Sequence, residues 1–162
     1  MAAELMTTNY RIHKIDLDDA SIIRRTPEVE HERAVAIFDL LEGNHFQLLE
    51  RDESGPYALF ISVAENRLGF QITSDALCDP HKVILALQPF RRVIKDYFLI
   101  CESYFDAIKH ASPQKIETID MARRGIHNEG SELLISLLKD KVILDHETAR
   151  RLFTLICVLH IK

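Results

Sequence analysis

The sequence predicts an α+β fold in which an antiparallel sheet of three to four strands packs against four helices. Three observations predict it. Between Tyr57 and Leu87 apolar side chains alternate with a period of two, and from Phe90 onward they recur about every 3.6 residues. The stretch Leu152 to Leu159 is apolar almost all round, as in a helix enclosed on several sides. A chain of 162 residues, 47% of them hydrophobic, points to one domain with a real core, here residues 10–162 behind a loose polar end at 1–9.

The elements follow in order. Tyr10 to Leu17 reads as a first strand. Thr26-Pro27-Glu28 opens a helix, because threonine caps free amides, proline suits the first helical position and acids meet the positive end of the dipole; Gly43 closes it. Tyr57, Leu59, Ile61 and Val63, a turn near Glu65-Asn66, then Leu68, Phe70 and Ile72 describe a hairpin. After Asp79-Pro80, the alternation of Val83, Leu85 and Leu87 adds a third strand, completing a meander over 57–88, and Pro89 ends the sheet. Phe90 to Ile108 is an amphipathic helix. Ser112-Pro113 starts another that runs to about Lys139 if Gly125 and Gly130 are absorbed. Val142 to Leu144 suits a short edge strand, and Asp145 caps the last helix.

Composition narrows the function classes. Twenty basic against twenty-five acidic residues, a net charge of −5, disfavour a general nucleic-acid binder. Three cysteines, Cys78, Cys101 and Cys157, suit a reduced cytoplasmic compartment, and no run reaches the length of a membrane span. No phosphate-binding glycine loop, G-x-S-x-G or H-E-x-x-H motif is present, so no cofactor is expected. Cys157 and His160 have C-x-x-H spacing, but nothing completes four ligands, and no metal is expected either.

Polar residues on apolar stripes are the candidates for chemistry. At 100° per residue, Val29, Ile37, Leu40 and Leu41 define the core stripe of the first helix, with Glu30 and Arg33 inside it. His31, Glu32, Asp39 and Glu42 point elsewhere. In the third helix Arg123 and His127 project from the stripe of Ile116, Ile119, Ile126, Leu133, Leu134 and Leu137, with Asp120 and Ser131 along its edge. Buried ion pairs that fix helix packing explain such placements, and so does a ligand site. Gly125 and Gly130 leave the same choice, since each costs about 1 kcal/mol of helix stability unless a helix or a ligand approaches closely. Tyr97 and Tyr104 read as core residues with wet hydroxyls whose neighbouring arginines lie on another face.

Eight of the twelve arginines form doublets, at 24–25, 91–92, 123–124 and 150–151. Three doublets fall before or inside opening helical turns, where a positive side chain opposes the dipole unless an anion or an internal acid answers it.

The segments TPEVEHERAVAIFDLLE at 26–42, PFRRVIKDYFLICESYFDAI at 89–108, IDMARRGIHNEGSELL at 119–134 and TARRLFTLICVLH at 148–160 resemble an uncharacterised protein family of alphaproteobacteria, number 0262 in the UPF series. The resemblance, with the GPYALFISV and LGF strands, spans nearly the whole chain. It implies a bacterial cytosolic protein and brings no catalytic residue with it.

Two functional expectations follow. The first is a non-catalytic cytosolic binding or interaction domain, with a homo-oligomer as one candidate assembly, in which Glu30, Arg33, Asp120, Arg123 and His127 fix helix packing. The second is a small enzyme or sensor for a phosphate- or carboxylate-bearing metabolite. There Arg123, Arg124 and Arg150 would hold the anion, His127 would act as general acid or base, and Glu30 would orient it.

Overall fold

Two residues in the left-handed region, Glu65 (φ 52°) and Asn66 (φ 62°), close the central hairpin, the geometry that matches the twist of paired strands. They join β3 (Tyr57–Ala64) to β4 (Arg67–Thr73), with Ala64 opposite Arg67. The structure is a computed structural model that describes residues 9–18, 26–50, 55–75, 77 and 79–159. The expected loose end at 1–9 lies, except for Asn9, outside the described residues, as do Arg24, Arg25, Cys78 and His160.

In chain order the elements are β1 (Ile12–Leu17), α1 (Pro27–Glu42), β2 (Phe46–Leu48), β3, β4, β5 (His81–Ala86), a single 3-10 turn (Gln88–Phe90), α2 (Arg91–His110), α3 (Pro113–Leu137), β6 (Val142–Leu144) and α4 (His146–Leu159). Thr26 and Ser112 cap α1 and α3 by accepting the amides of Val29 and Lys115, each followed by proline in the first turn. Both capping sites were legible as threonine or serine followed by proline.

The main sheet has the order β1-β3-β4-β5. The meander is antiparallel, and Ile61, Phe70 and Val83 stack across it on the buried face. The sheet is nevertheless mixed. β1 runs parallel to β3, because α1 carries the chain back across the sheet before β3 begins. Alternation alone shows which face of a strand is buried, not which way its neighbour runs. A second sheet also forms, since Val142–Leu144 pairs antiparallel with Phe46–Leu48, a strand too short for its period to show.

Asn44 locks this corner. Its amide donates to the carbonyls of Leu40 (2.8 Å) and Ile12 (2.9 Å), and its Oδ1 accepts the amide of Ile12 (2.7 Å). One side chain thus stands in for a strand partner of β1 while closing the end of α1.

Helix α4 sits at the centre, packed against α1, α3 and β3. Every residue from Leu152 to Leu159 is buried. Burial of a large apolar side chain stabilises by about 1.5–3 kcal/mol, so this segment is a principal source of cohesion. Helix α2 packs on α3, which places the 123–127 segment among α1, α2 and α4.

Candidate functional site

Helix α1 turns a different face inward from the one its strongest apolar residues suggest. Ala36 and Leu40 are buried and Val29, Glu32, Arg33 and Ile37 are half-buried, while Leu41 is 37% exposed. Counting Leu41 as core rotates the wheel and moves Glu32 and Asp39 away from the interior. Both carry structure instead: Glu32 reaches Arg123 at 3.7 Å and Asp39 reaches Arg151 at 3.9 Å. Glu30 and Arg33 are half-buried, but the carboxylate that α1 delivers to Arg123 is that of Glu32.

Arg123 stands at the junction of three helices. It donates to Asp120 at 2.9 Å, lies 3.7 Å from Glu32, and its guanidinium sits 4.3 Å above the ring of Tyr104. Burial opposes its charge, yet the bond to Asp120 and the field of Glu32 outweigh that cost and raise its pKa. Asp120 also takes exposed Arg124, at 2.9 Å. The tyrosines therefore share a face with the cluster, contrary to the expectation for Tyr97 and Tyr104. The hydroxyl of Tyr97 is buried rather than wet.

His127 is packed as an aromatic residue. Its ring stacks on Tyr97 with centroids 4.9 Å apart and meets Phe153 edge-on at 6.2 Å. Nε2 lies 3.4 Å from the hydroxyl of Thr154, which itself donates to the carbonyl of Arg150 at 3.2 Å. Burial, with Arg150 and Arg123 nearby, lowers the pKa of His127 to about 4. The imidazole is neutral across the physiological range.

The remaining candidates separate. Ser131 is fully buried and donates back to the carbonyl of His127 at 2.6 Å, so its hydroxyl serves the helix. Gly130 answers a close approach by Phe153, whereas Gly125 has open space around it. Arg150 pairs with Glu147 at 3.5 Å and Arg151 pairs with Glu147 at 2.8 Å. Arg92 bonds Asp96 at 2.9 Å and also Glu129 on α3, and Arg91 bonds Asn66.

Two cavities adjoin this region. A polar one of about 150 Å³ between α1 and α4 is lined by Glu32, Asp39, Glu147, Arg150, Arg151 and Thr154, among others. An open groove of about 610 Å³ between α1 and α2 has Val29, Ile94, Tyr97, Phe98 and Phe105 in its wall. His127 lines neither, but both of its neighbours do: Thr154 faces the smaller cavity and Tyr97 the larger groove.

Cys101 and Cys157 are buried, and burial raises the Cys101 thiol to about 11 and the Cys157 thiol well above its ordinary value. Neither is a ready nucleophile at neutral pH. Among the described residues no three His, Cys, Asp or Glu side chains converge as metal ligands, and no helix is long and apolar enough to cross a membrane.

With the geometry in place, comparison with known proteins decides the family. The model of the uncharacterised protein family UPF0262 matches residues 9–162. The chain belongs to the UPF0262 family. A UPF0262 protein of Rhodospirillum rubrum is 57% identical over 159 residues, covering 98% of this chain and 97% of the relative. UPF0262 proteins of Brucella anthropi, at 57%, and Brucella suis, at 56%, are each similar over 152 residues, 94% of this chain and of theirs. No solved structure matches.

Three participants of the UPF0262 cluster escaped the sequence reading: Glu32, Tyr104 and Thr154. A signal for Glu32 existed, since it lies at helical spacing from Val29 and Ala36. Tyr104 and Thr154 lay on apolar faces of their own helices, where only packing reveals a polar neighbour.

Proposed function

We propose that this UPF0262 protein is a non-catalytic binding or interaction protein of the bacterial cytosol, in which the Glu32, Asp120, Arg123 and His127 contacts fix helix packing. The observation that carries this reading is that the three arginines expected to hold an anion, Arg123, Arg124 and Arg150, each end on a carboxylate of their own chain. Arg123 has Asp120 and Glu32, Arg124 has Asp120, and Arg150 has Glu147. A neutral, half-buried histidine stacked on Tyr97, edge-on to Phe153 and lining neither cavity suits packing better than general acid or base work. Buried reduced thiols favour the cytosol.

The competing reading, an enzyme or sensor for an anionic metabolite, requires Arg124 or Arg150 to exchange its carboxylate for the ligand. A thermal-shift screen of nucleotides, sugar phosphates and dicarboxylates at constant ionic strength separates the two. The interaction reading expects no compound-specific stabilisation. A rise in melting temperature for one compound, lost in Arg124→Ala or Arg150→Ala, would establish the metabolite reading instead.

A further inference from the structure

The main sheet ends on β5, and the hydrogen bonds of its ladder decide what that edge presents. The amide of Leu87 donates to the carbonyl of Asn66, so by the alternation of an antiparallel pair Leu87, Leu85, Val83 and His81 turn their backbone groups toward β4. Lys82, Ile84 and Ala86 turn theirs outward. Among the described residues none of these outward N–H and C=O groups has a partner. The opposite edge is treated differently where it begins: Asn44 bonds both backbone groups of Ile12, and the amide of Phe46 donates to the carbonyl of Tyr10. Strand β5 has no bulge and no proline to blunt it, since Pro80 and Pro89 stand outside its ends.

The chemistry of this edge identifies its occupant. Donor and acceptor pairs repeated about every 7 Å along a strand are matched by another extended backbone. Side chains select which one. Lys82, Ile84 and Ala86 stand on the open face of the sheet, with Ile84 55% exposed, and Arg67 lies beside Ala86 on β4. Lys82 and Arg67 are exposed, and neither has an ion-pair partner among the described residues. The edge is therefore apolar at its centre with a free cation toward each end. It complements a strand whose apolar residue is flanked by acids two positions away on either side. The same charges disfavour a second copy of this chain: pairing all three outward residues of two β5 strands antiparallel sets Lys82 against Ala86 and turns it toward Arg67 of the other copy.

We propose that the β5 edge is a docking site for an extended acidic peptide of a partner protein, which joins the sheet as a fifth strand with an apolar residue against Ile84 and carboxylates toward Lys82 and Arg67. The proposal rests on the interaction-domain reading and names the class of partner. Pairing over three outward residues belongs to the small class of interfaces, so the contact is reversible, and it weakens as salt screens the two cations.

Amide exchange read by NMR on the isotope-labelled full chain tests this directly. The probe is a blocked synthetic peptide, Thr-Glu-Thr-Val-Thr-Glu-Thr, whose palindromic order suits either strand direction. At millimolar peptide, exchange at Lys82, Ile84 and Ala86 should slow at least about 10-fold, while Val83 and Leu85, already bonded to β4, stay as they were. The fully N-methylated peptide, which cannot donate, should protect nothing, and replacing its glutamates by lysines should abolish binding. Lys82→Glu combined with Arg67→Glu should reverse that charge preference, with circular dichroism unchanged because both side chains are exposed. Absence of protection at these three amides, or protection given equally by the lysine or N-methylated peptide, overturns the proposal. Protection of the same amides by raising the protein concentration alone also overturns it, by making a second copy the occupant. None of these results touches the interaction reading, which fails on a different outcome, stabilisation by a metabolite through Arg124 or Arg150.

Discussion

The ring of Phe153 occupies the space where a side chain at Gly130 would begin. A Cβ built on Gly130 would lie 2.6 Å from Cδ1 of Phe153 and closer still to two other ring carbons, while Phe153 is fully buried. Alanine at 130 gains about 1 kcal/mol in helix propensity, but overpacking a closed core costs about 1–3 kcal/mol. At Gly125 nothing lies within 4 Å. The two substitutions should therefore have opposite signs: Gly130→Ala lowers stability and Gly125→Ala raises it by about 0.5–1 kcal/mol, read from chemical denaturation midpoints. Equal effects at both positions would contradict the packing account of α3 against α4.

Asn44 supports a second prediction. Its three hydrogen bonds tie β1 to the end of α1, and each typically contributes about 1 kcal/mol. Asn44→Ala should destabilise by about 2–3 kcal/mol and speed amide exchange at Ile12 above all, because that amide loses its acceptor. Unchanged protection at Ile12 would show that the clamp contributes nothing.

How much of this was readable in advance depends on the kind of signal. Periodicity found the meander, the helices and the enclosed Leu152–Leu159 segment, because burial writes directly into residue spacing. The parallel pairing of Ile12–Leu17 with Tyr57–Ile61 was not readable, since strand direction depends on how the connection crosses the sheet. The Asp120–Arg123 pair was legible as neighbours on one helix, whereas its third member came from α1. There the two-faced helix defeated the wheel: taking Leu41 as core turned Glu32 outward.

The neutral His127 makes stability depend on pH in a definite direction. Its pKa falls from 6.5 to about 4 on folding, so as pH drops the unfolded chain takes up the proton first. The stability tied to the neutral imidazole is complete above about pH 6.5, declines between 6.5 and 4, and is gone below about 4. At about 1.4 kcal/mol per pH unit the full loss approaches about 3 kcal/mol. His127→Gln should flatten this part of the stability profile relative to the wild type. Parallel profiles for the two proteins would mean that His127 does not titrate as its surroundings dictate.

The most direct test of the central claim, that Arg123 clamps helices rather than waiting for a ligand, is a double-mutant cycle between Glu32 and Arg123 in equilibrium unfolding. Both side chains are about three-quarters or more buried, at 25% and 21% exposure, and they sit on different helices. Arg123→Met alone should cost about 2–3 kcal/mol by leaving half-buried Glu32 without its guanidinium and Asp120 with exposed Arg124 alone, while Arg124→Ala should stay within about 0.5 kcal/mol of wild type. The cycle with Glu32→Gln should return a coupling of about 1 kcal/mol or more. Single variants as stable as the wild type, with no coupling between them, would show that the guanidinium holds nothing together and would return it to the list of groups free to bind an anion.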